Sequence, residues 1–327
     1  MAKMPRASQD WDNRLAQRVK LRDLHILAAV VRLGGMAKAG VQLSMSQSAV
    51  SEAIANLEDA LGVRLLDRSP RGVAPTDYAH ALLKHGHVIF DELREAVGDI
   101  EALAGSTAGE VRVACLEFLA AGVVPDAVER LTRRHPQITA HVVETNVRTL
   151  EFRQLHERDI DLMVTRIPNG FAEDDLDIEI LFDDPHVVVV GANSRWARER
   201  KIGLADLVDA PWINPASLVV DEIFREAFER LGLKVPPAQV TTSFILMRNQ
   251  LLASGRYLTL LPESVMRYNA KLWSLHTLPI ALQVTPRPIA LVTLKNRTMR
   301  PAVALFIEQL RAVAKTFPRP PIRRGRP

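Results

Sequence analysis

Apolar residues at Leu24, Leu27, Ala28 and Val31 recur at the spacing of one helix face, and Gly34-Gly35 ends the pattern. A short second helix over 36–43 follows, with Ala39 and Leu43 four apart, and Ser44-Met45-Ser46 supplies residues that favour turns and helix caps. Ser46 is placed to cap a third helix whose apolar positions are Ala49, Val50, Ile54, Leu57 and Leu61, with Gly62 as its stop. Residues 63–76 then read as two short strands about a Pro/Gly turn. From a cap at Thr76-Asp77, helical periodicity runs without proline to about Ala104, through Ala79, Leu82, Gly86, Ile89, Leu93, Ala96, Ile100 and Leu103.

Residues 105–109, Gly-Ser-Thr-Ala-Gly, read as a flexible hinge. Beyond them the period alternates between strand and helix. Strands are expected at 111–115, 138–144 and 162–165, with helices through Val128 and Leu131 and over 152–158. A second set places strands at 187–191, 239–242 and 259–261 and helices at 221–231 and 245–253; a strand at 288–294 and a helix at 302–315 return to the first set. This alternation predicts α/β lobes built on parallel sheets.

The chain has 327 residues, enough for two or three domains, and its 47% apolar and 24% charged content is an ordinary globular balance. One cysteine excludes an internal disulfide framework and a Cys-rich metal site. No segment has the apolar length of a signal peptide or a bilayer span, so a soluble cytoplasmic protein is expected. The net charge of +4 permits nucleic-acid binding without demanding it; eleven basic against eight acidic residues fall within 1–83.

Two helices joined by a tight turn form a helix-turn-helix whose second member can enter the major groove. Its outward N-terminal residues are Gln47, Ser48, Ser51 and Glu52, with Asn56 one turn on; Gln and Asn can pair with adenine, and Ser with bases or phosphates. The same spacing suits a three-helix bundle with solvent-facing polar residues. Arg64, Arg68 and Arg71 on or beside the following hairpin favour the DNA reading, since a wing sets such side chains against phosphates, whereas a merely solvated turn has no use for them. Lys38 and Ser46 complete the expected DNA-contacting set. The long helix is a seam for a second copy, which would set two recognition helices about 34 Å apart, or else packs on its own sensor. Its His80, His85 and His87 lack the companions of a metal site, and none is expected.

Leu21-Arg22-Asp23-Leu24, the stretch 34–43, Ser46-Gln47-Ser48-Ala49-Val50-Ser51 and the run 57–68 resemble the DNA-binding signature of LysR-type transcriptional regulators. The likeness extends through the wing to Thr76 and more weakly over nearly the whole chain. It departs from the family at Ser48, where proline is usual, and at Glu52 and Asn56, where basic residues are common. The resemblance implies a sequence-specific DNA-binding regulator with a winged helix-turn-helix, a dimerising linker helix and a two-lobed, periplasmic-binding-protein-like effector domain. It also implies a homodimer through the linker, a homotetramer that bends DNA, and possible contact with RNA polymerase; no cofactor is implied.

The corresponding domains are an extension at 1–20, the winged helix-turn-helix at 21–76, the linker at 77–104, the hinge at 105–109 and the effector domain at 110–316. Lobe I takes about 110–185 and 286–316, lobe II about 186–285, and 317–327 is a basic tail read as disordered. Ligands of such folds lie between lobes, at strand carboxyl ends and helix N-termini. That rule nominates Leu116, Glu117, Phe118, Thr145, Asn146, Thr165, Arg166, Asn214, Ser243 and Phe244. Glu117 would compete with an anionic effector at a helix N-terminus; either the small-molecule effector is neutral or cationic, or Arg166 takes its anion while Glu117 caps the helix. Cys115 is read as a buried strand residue, and the acidic run 173–179 as solvated surface. An enzyme and an exported solute-binding protein are the competing classes. Neither a phosphate loop, a nucleophile elbow nor metal-ligand spacing supports the first, and no signal peptide supports the second.

Overall fold

The computed structural model describes residues 18–69, 72–103, 109–145, 152–168, 171–214, 218–285, 287–295 and 297–318. Arg71, Asn146, most of the extension, the hinge up to Ala108 and the tail from Arg319 lie outside the described residues. The chain divides into two compact units, 1–97 and 98–327.

In the first unit, α1 (Leu21–Leu33), α2 (Met36–Leu43) and α3 (Gln47–Leu61) precede a hairpin of β1 (Leu66–Ser69) and β2 (Gly72–Pro75), paired antiparallel with Leu66 opposite Pro75. The long helix α4 (Asp77–Leu103) begins after Thr76, whose Oγ1 accepts the Ala79 N–H at 3.3 Å. The core joins Leu27 and Val30 of α1 to Val50, Ile54 and Leu57 of α3, Leu65, and Ala79 and Leu83 of α4. Among the described residues of α4, Ala79 and Leu83 of the first turns belong to that core; further along, the Phe90 ring meets His25 of α1 edge-on at 5.7 Å, while Ile89, Leu93, Val97 and Ile100 are exposed.

In the second unit, lobe I is the five-stranded sheet β4-β3-β5-β12-β6. Its strands are β3 (Gly109–Cys115), β4 (Ile138–Glu144), β5 (Leu162–Arg166), β6 (Leu176–Phe182) and β12 (Ile289–Leu294). Helices α5 (Glu117–Ala120), α6 (Val123–Arg134) and α7 (Arg153–His156) lie between its strands, and α11 (Pro301–Ala314) closes it against α6 and β3. Lobe II is the sheet β11-β7-β10-β8-β9. It comprises β7 (His186–Gly191), β8 (Trp212–Asn214), α8 (Leu218–Glu229), β9 (Ala238–Thr241), α9 (Ile245–Ala253), β10 (Leu258–Pro262), α10 (Glu263–Asn269) and β11 (Leu275–Thr277). The chain crosses between sheets twice, after β6 and before β12.

The sheets are mixed rather than parallel. β3 runs parallel to β4 and β5, and β8 to β9 and β10, but β12 is antiparallel to β5 and β6, and β7 to β10 and β11. A strand that returns from the other lobe enters from the opposite end, which periodicity within it cannot reveal. The acidic run lies at the surface as expected, but its end belongs to a strand that was not: Asp177 and Glu179 sit in edge strand β6, where Leu176, Leu181 and Phe182 are buried. Period-2 alternation accommodates outward acids on an edge without loss of the inner face. The three-residue strands β8 and β11 are too short to leave a periodic signal.

Candidate functional site

The first candidate site is the exposed end of α3. Ser46 caps it, its Oγ accepting the Ala49 N–H at 3.2 Å and lying 2.9 Å from the Ser48 hydroxyl. With Val50, Ala53, Ile54 and Leu57 turned into the core, Gln47, Ser48, Glu52 and Asn56 are exposed and Ser51 is half-buried. Lys38 and Arg64 are exposed as well. A close approach of backbones holds the turn before the helix: a Cβ on Gly40 would stand 2.7 Å from the Met45 carbonyl oxygen. Two residues whose roles are not evident in the sequence fix the wing. Glu58 Oε1 accepts the N–H groups of Leu65 and Leu66 at 2.7 and 3.1 Å, and Thr76 Oγ1 donates to the Arg64 carbonyl at 2.9 Å. Arg68 lies on β1 and Arg71 outside the described residues.

The second candidate site lies where the two lobes of the 98–327 unit meet. Glu117, at the start of α5 in lobe I, reaches lobe II: its Oε1 accepts the Ile245 N–H at 2.8 Å and its Oε2 is 3.7 Å from an Arg248 nitrogen. Beside it the Arg166 guanidinium lies 5.3 Å from the Phe118 ring centre. Arg166 is buried, donating to the carbonyls of Asp184 at 2.9 Å and Arg287 at 2.6 Å and pairing with the Asp184 carboxylate at 3.5 Å. That carboxylate accepts the Ser264 N–H and hydroxyl at 2.9 and 2.7 Å. Arg166 is thus engaged by both crossing segments and by α10 through Asp184, an arrangement that leaves little of it for a ligand's anion.

The remaining nominated residues are spread around this cluster. Leu116, Thr145 and Thr165 are buried, Thr145 donating its N–H to the Cys115 carbonyl at 2.9 Å. Asn214 is tied through its amide to Asp221 of α8, and Ser243 and Phe244 are exposed just before α9. Asn146 lies outside the described residues. Asp184, His186, Arg248, Asn249 and Ser264 are not among the residues that sequence reasoning nominates; the signal available for Arg248 was that it is the single charged residue of α9, which buries it with Ile245, Asn249 and Leu252.

Burial is the largest influence on how the groups of this cluster titrate. It pushes Glu117 and Asp184 above the ordinary carboxylate range, against the pull of Ile245 and Arg248 on the first and of Arg166 and Ser264 on the second. His186 is held well below 6.5, first by burial and then by Arg166, Arg248 and Arg287. The unfolded chain therefore takes up the imidazole proton first, so this group's contribution to stability is lost as pH falls below 6.5. Thermal unfolding at about pH 7.5 and about pH 5.5 should show a loss of up to about 1.4 kcal/mol per pH unit below that point, and His186→Gln should flatten it. An equal slope in wild type and variant would contradict the assignment. Cys115 is buried, its thiol pushed up to about 12 by burial and then by Glu144, and so is protonated at neutral pH. Sequence spacing carries no signal for the surface trio His156, Glu173 and Asp175, in which His156 Nε2 lies 2.8 Å from Asp175.

Residues 21–80 match the model of the lysR family of bacterial regulatory helix-turn-helix proteins, and residues 104–315 match that of the LysR substrate binding domain. The chain belongs to the LysR family. It is a DNA-binding transcriptional regulator with a substrate-binding domain, and the relatives it resembles are regulators, not enzymes. It is 26% identical over 305 residues to the HTH-type transcriptional regulator GbpR of Azospirillum brasilense, covering 92% of this chain and 89% of that one. It is 28% identical over 298 residues to the probable regulator LrrA of Synechococcus elongatus, covering 90% and 98%. Among solved structures, the LysR family regulator CbnR matches with a TM-score of 0.63 at 21% identity, covering 90% of this chain and 99% of CbnR. A full-length OxyR variant from Pseudomonas aeruginosa matches with 0.63 at 20% identity, covering 94% and 99%. No helix among the described residues of this LysR-family chain is long and apolar enough to cross a membrane.

Proposed function

We propose that this regulator reads operator DNA through the exposed end of α3 and is switched by a small molecule held between the lobes of its 98–327 unit. The observation that carries the first half is the Ser46-capped N-terminus of α3, which leaves Gln47, Ser48, Glu52 and Asn56 exposed for base edges, with Ser51 beside them. Lys38, Arg64, Arg68 and Arg71 take flanking phosphates. CbnR, which shares the fold, is also known in complex with its target DNA.

The exposed apolar residues Ile89, Leu93, Val97 and Ile100 of α4 support pairing with a second copy, giving a homodimer with half-sites about one helical turn apart. Homotetramer assembly and contact with RNA polymerase complete the reading, all in the cytoplasm. Ligand between the lobes shifts the population of their relative arrangements and so the spacing of the bound dimers.

Fluorescence anisotropy on genomic operator fragments tests this. Gln47→Ala should cost about 1–3 kcal/mol on the preferred fragment and relax preference at one base pair. Arg64→Ala should weaken all fragments alike and lower the salt slope by about 1. Binding that ignores salt and fragment sequence, or affinity unchanged in Gln47→Ala, would remove α3 from the interface.

A further inference from the structure

The Glu117 carboxylate reaches across to the opposite lobe. Its Oε1 holds the N–H of Ile245, the first residue of the nine-residue helix α9, and its Oε2 faces Arg248 three residues further along that helix. Free N–H groups and the positive end of the helix dipole make such a terminus an anion position. The preceding residue, Phe244, caps nothing with its side chain, so the anion has to come from elsewhere. Here lobe I supplies it.

Polar capacity is left over beside this contact. Among the described residues, the Nε of Arg248, a residue 6% exposed, has no hydrogen-bond partner, and neither polar atom of the Asn249 amide next to it in α9, 9% exposed, has one. Buried polar atoms in native proteins are rarely left unmet, and such atoms mark where a water or ligand belongs. The other arginine of the cluster offers no second anion position, since Arg166 is committed to Asp184 and Arg287.

We propose that Glu117 is a tethered anion filling the carboxylate position of the inter-lobe site, so that the site refuses free monocarboxylates and takes a neutral or cationic ligand that brings hydrogen-bond donors to Glu117. The proposal rests on the reading that a small molecule binds between the lobes, and it assigns Glu117 as the residue that sets the charge class of that molecule. A ligand carboxylate must displace a covalently attached competitor that enters without loss of translational freedom, a heavy handicap for a dissolved acid. Removing the competitor leaves the Ile245 N–H and the Arg248 guanidinium open to an external acid.

The test uses the full chain with benzoate and acetate as probes, followed by calorimetry and by ligand-induced shift of thermal unfolding. Glu117→Ser should bind these acids at least about tenfold more tightly than wild type, the size of one charge-assisted contact. Adding Arg248→Met should erase the gain. Glu117→Gln keeps an oxygen for the Ile245 N–H and removes only the charge, so it guards against loss of folding; a smaller gain in the same direction is expected. Carboxylate affinity equal to wild type in both single variants, or tight benzoate or acetate binding by wild type itself, overturns the proposal. Absence of any small molecule that alters DNA binding would instead count against the regulatory reading, and the gain in carboxylate binding by Glu117→Ser is measured independently of it.

Discussion

Asp161→Ala is expected to lower the stability of the 98–327 unit by about 3–5 kcal/mol, the range for removing one partner of a buried ion pair. Asp161 is 4% exposed at the entrance to β5. Its carboxylate accepts the Arg112 N–H at 2.8 Å, an Arg297 nitrogen at 2.8 Å and an Arg300 nitrogen at 2.5 Å. The two arginine side chains are themselves only 8% and 17% exposed, so alanine would leave two nearly buried cations facing each other across an empty acceptor. They lie between β12 and α11, so the carboxylate ties the returning segment of lobe I to the strands that came before it. Urea unfolding followed by circular dichroism gives the number. Asp161→Asn, which retains an acceptor for the Arg112 N–H, should lose less, and equal midpoints for wild type and Asp161→Ala would refute the role.

Gly191→Ala should cost about 3 kcal/mol and also disable the inter-lobe site. Gly191 ends β7, and a Cβ there would stand 2.0 Å from the carbonyl oxygen of Leu252 in α9. No rotamer relieves an overlap with backbone, so α9 must move away from the sheet. That helix carries at its other end the Ile245 N–H and Arg248 that receive Glu117. The expected signature is therefore a lowered thermal midpoint together with altered ligand binding. Gly203→Ala is the control, because its Cβ would meet nothing closer than the Asp206 carboxylate at 3.8 Å, and it should change stability by less than about 0.5 kcal/mol. A wild-type midpoint in Gly191→Ala would mean that the helix has room the packing does not suggest.

Both residues illustrate the limits of reading this chain from its order alone. Nothing near Asp161 in sequence announces its arginines, which follow 136 and 139 residues later. Gly191 looks like any glycine at the end of a strand until α9 is laid against it. The inter-lobe cluster was legible in part: the rule of strand ends selected Glu117, Phe118 and Arg166, which the fold brings to the lobe boundary. It also selected Leu116, Thr145 and Thr165, whose side chains are packed away, and it passed over Asp184, His186 and Arg248, which come from lobe-crossing backbone and from within a helix. The mixed sheets and the edge strand β6 escaped for a related reason, since strand direction belongs to the chain's route between lobes.

What the sequence determined by itself is the DNA-reading end. Ser46 as cap, Gly62 as stop, Thr76 as the start of the long helix and the apolar faces of α1 to α3 all act within one or two helical turns, a range over which neighbours in order are neighbours in space. What only the tertiary structure decided is the chemistry between the lobes. The bond from Ile245 to Glu117 spans 128 residues, and burial at that junction shifts Glu117 and Asp184 upward and His186 downward. Desolvation is a property of the packed whole, so no residue carries it in its own sequence context.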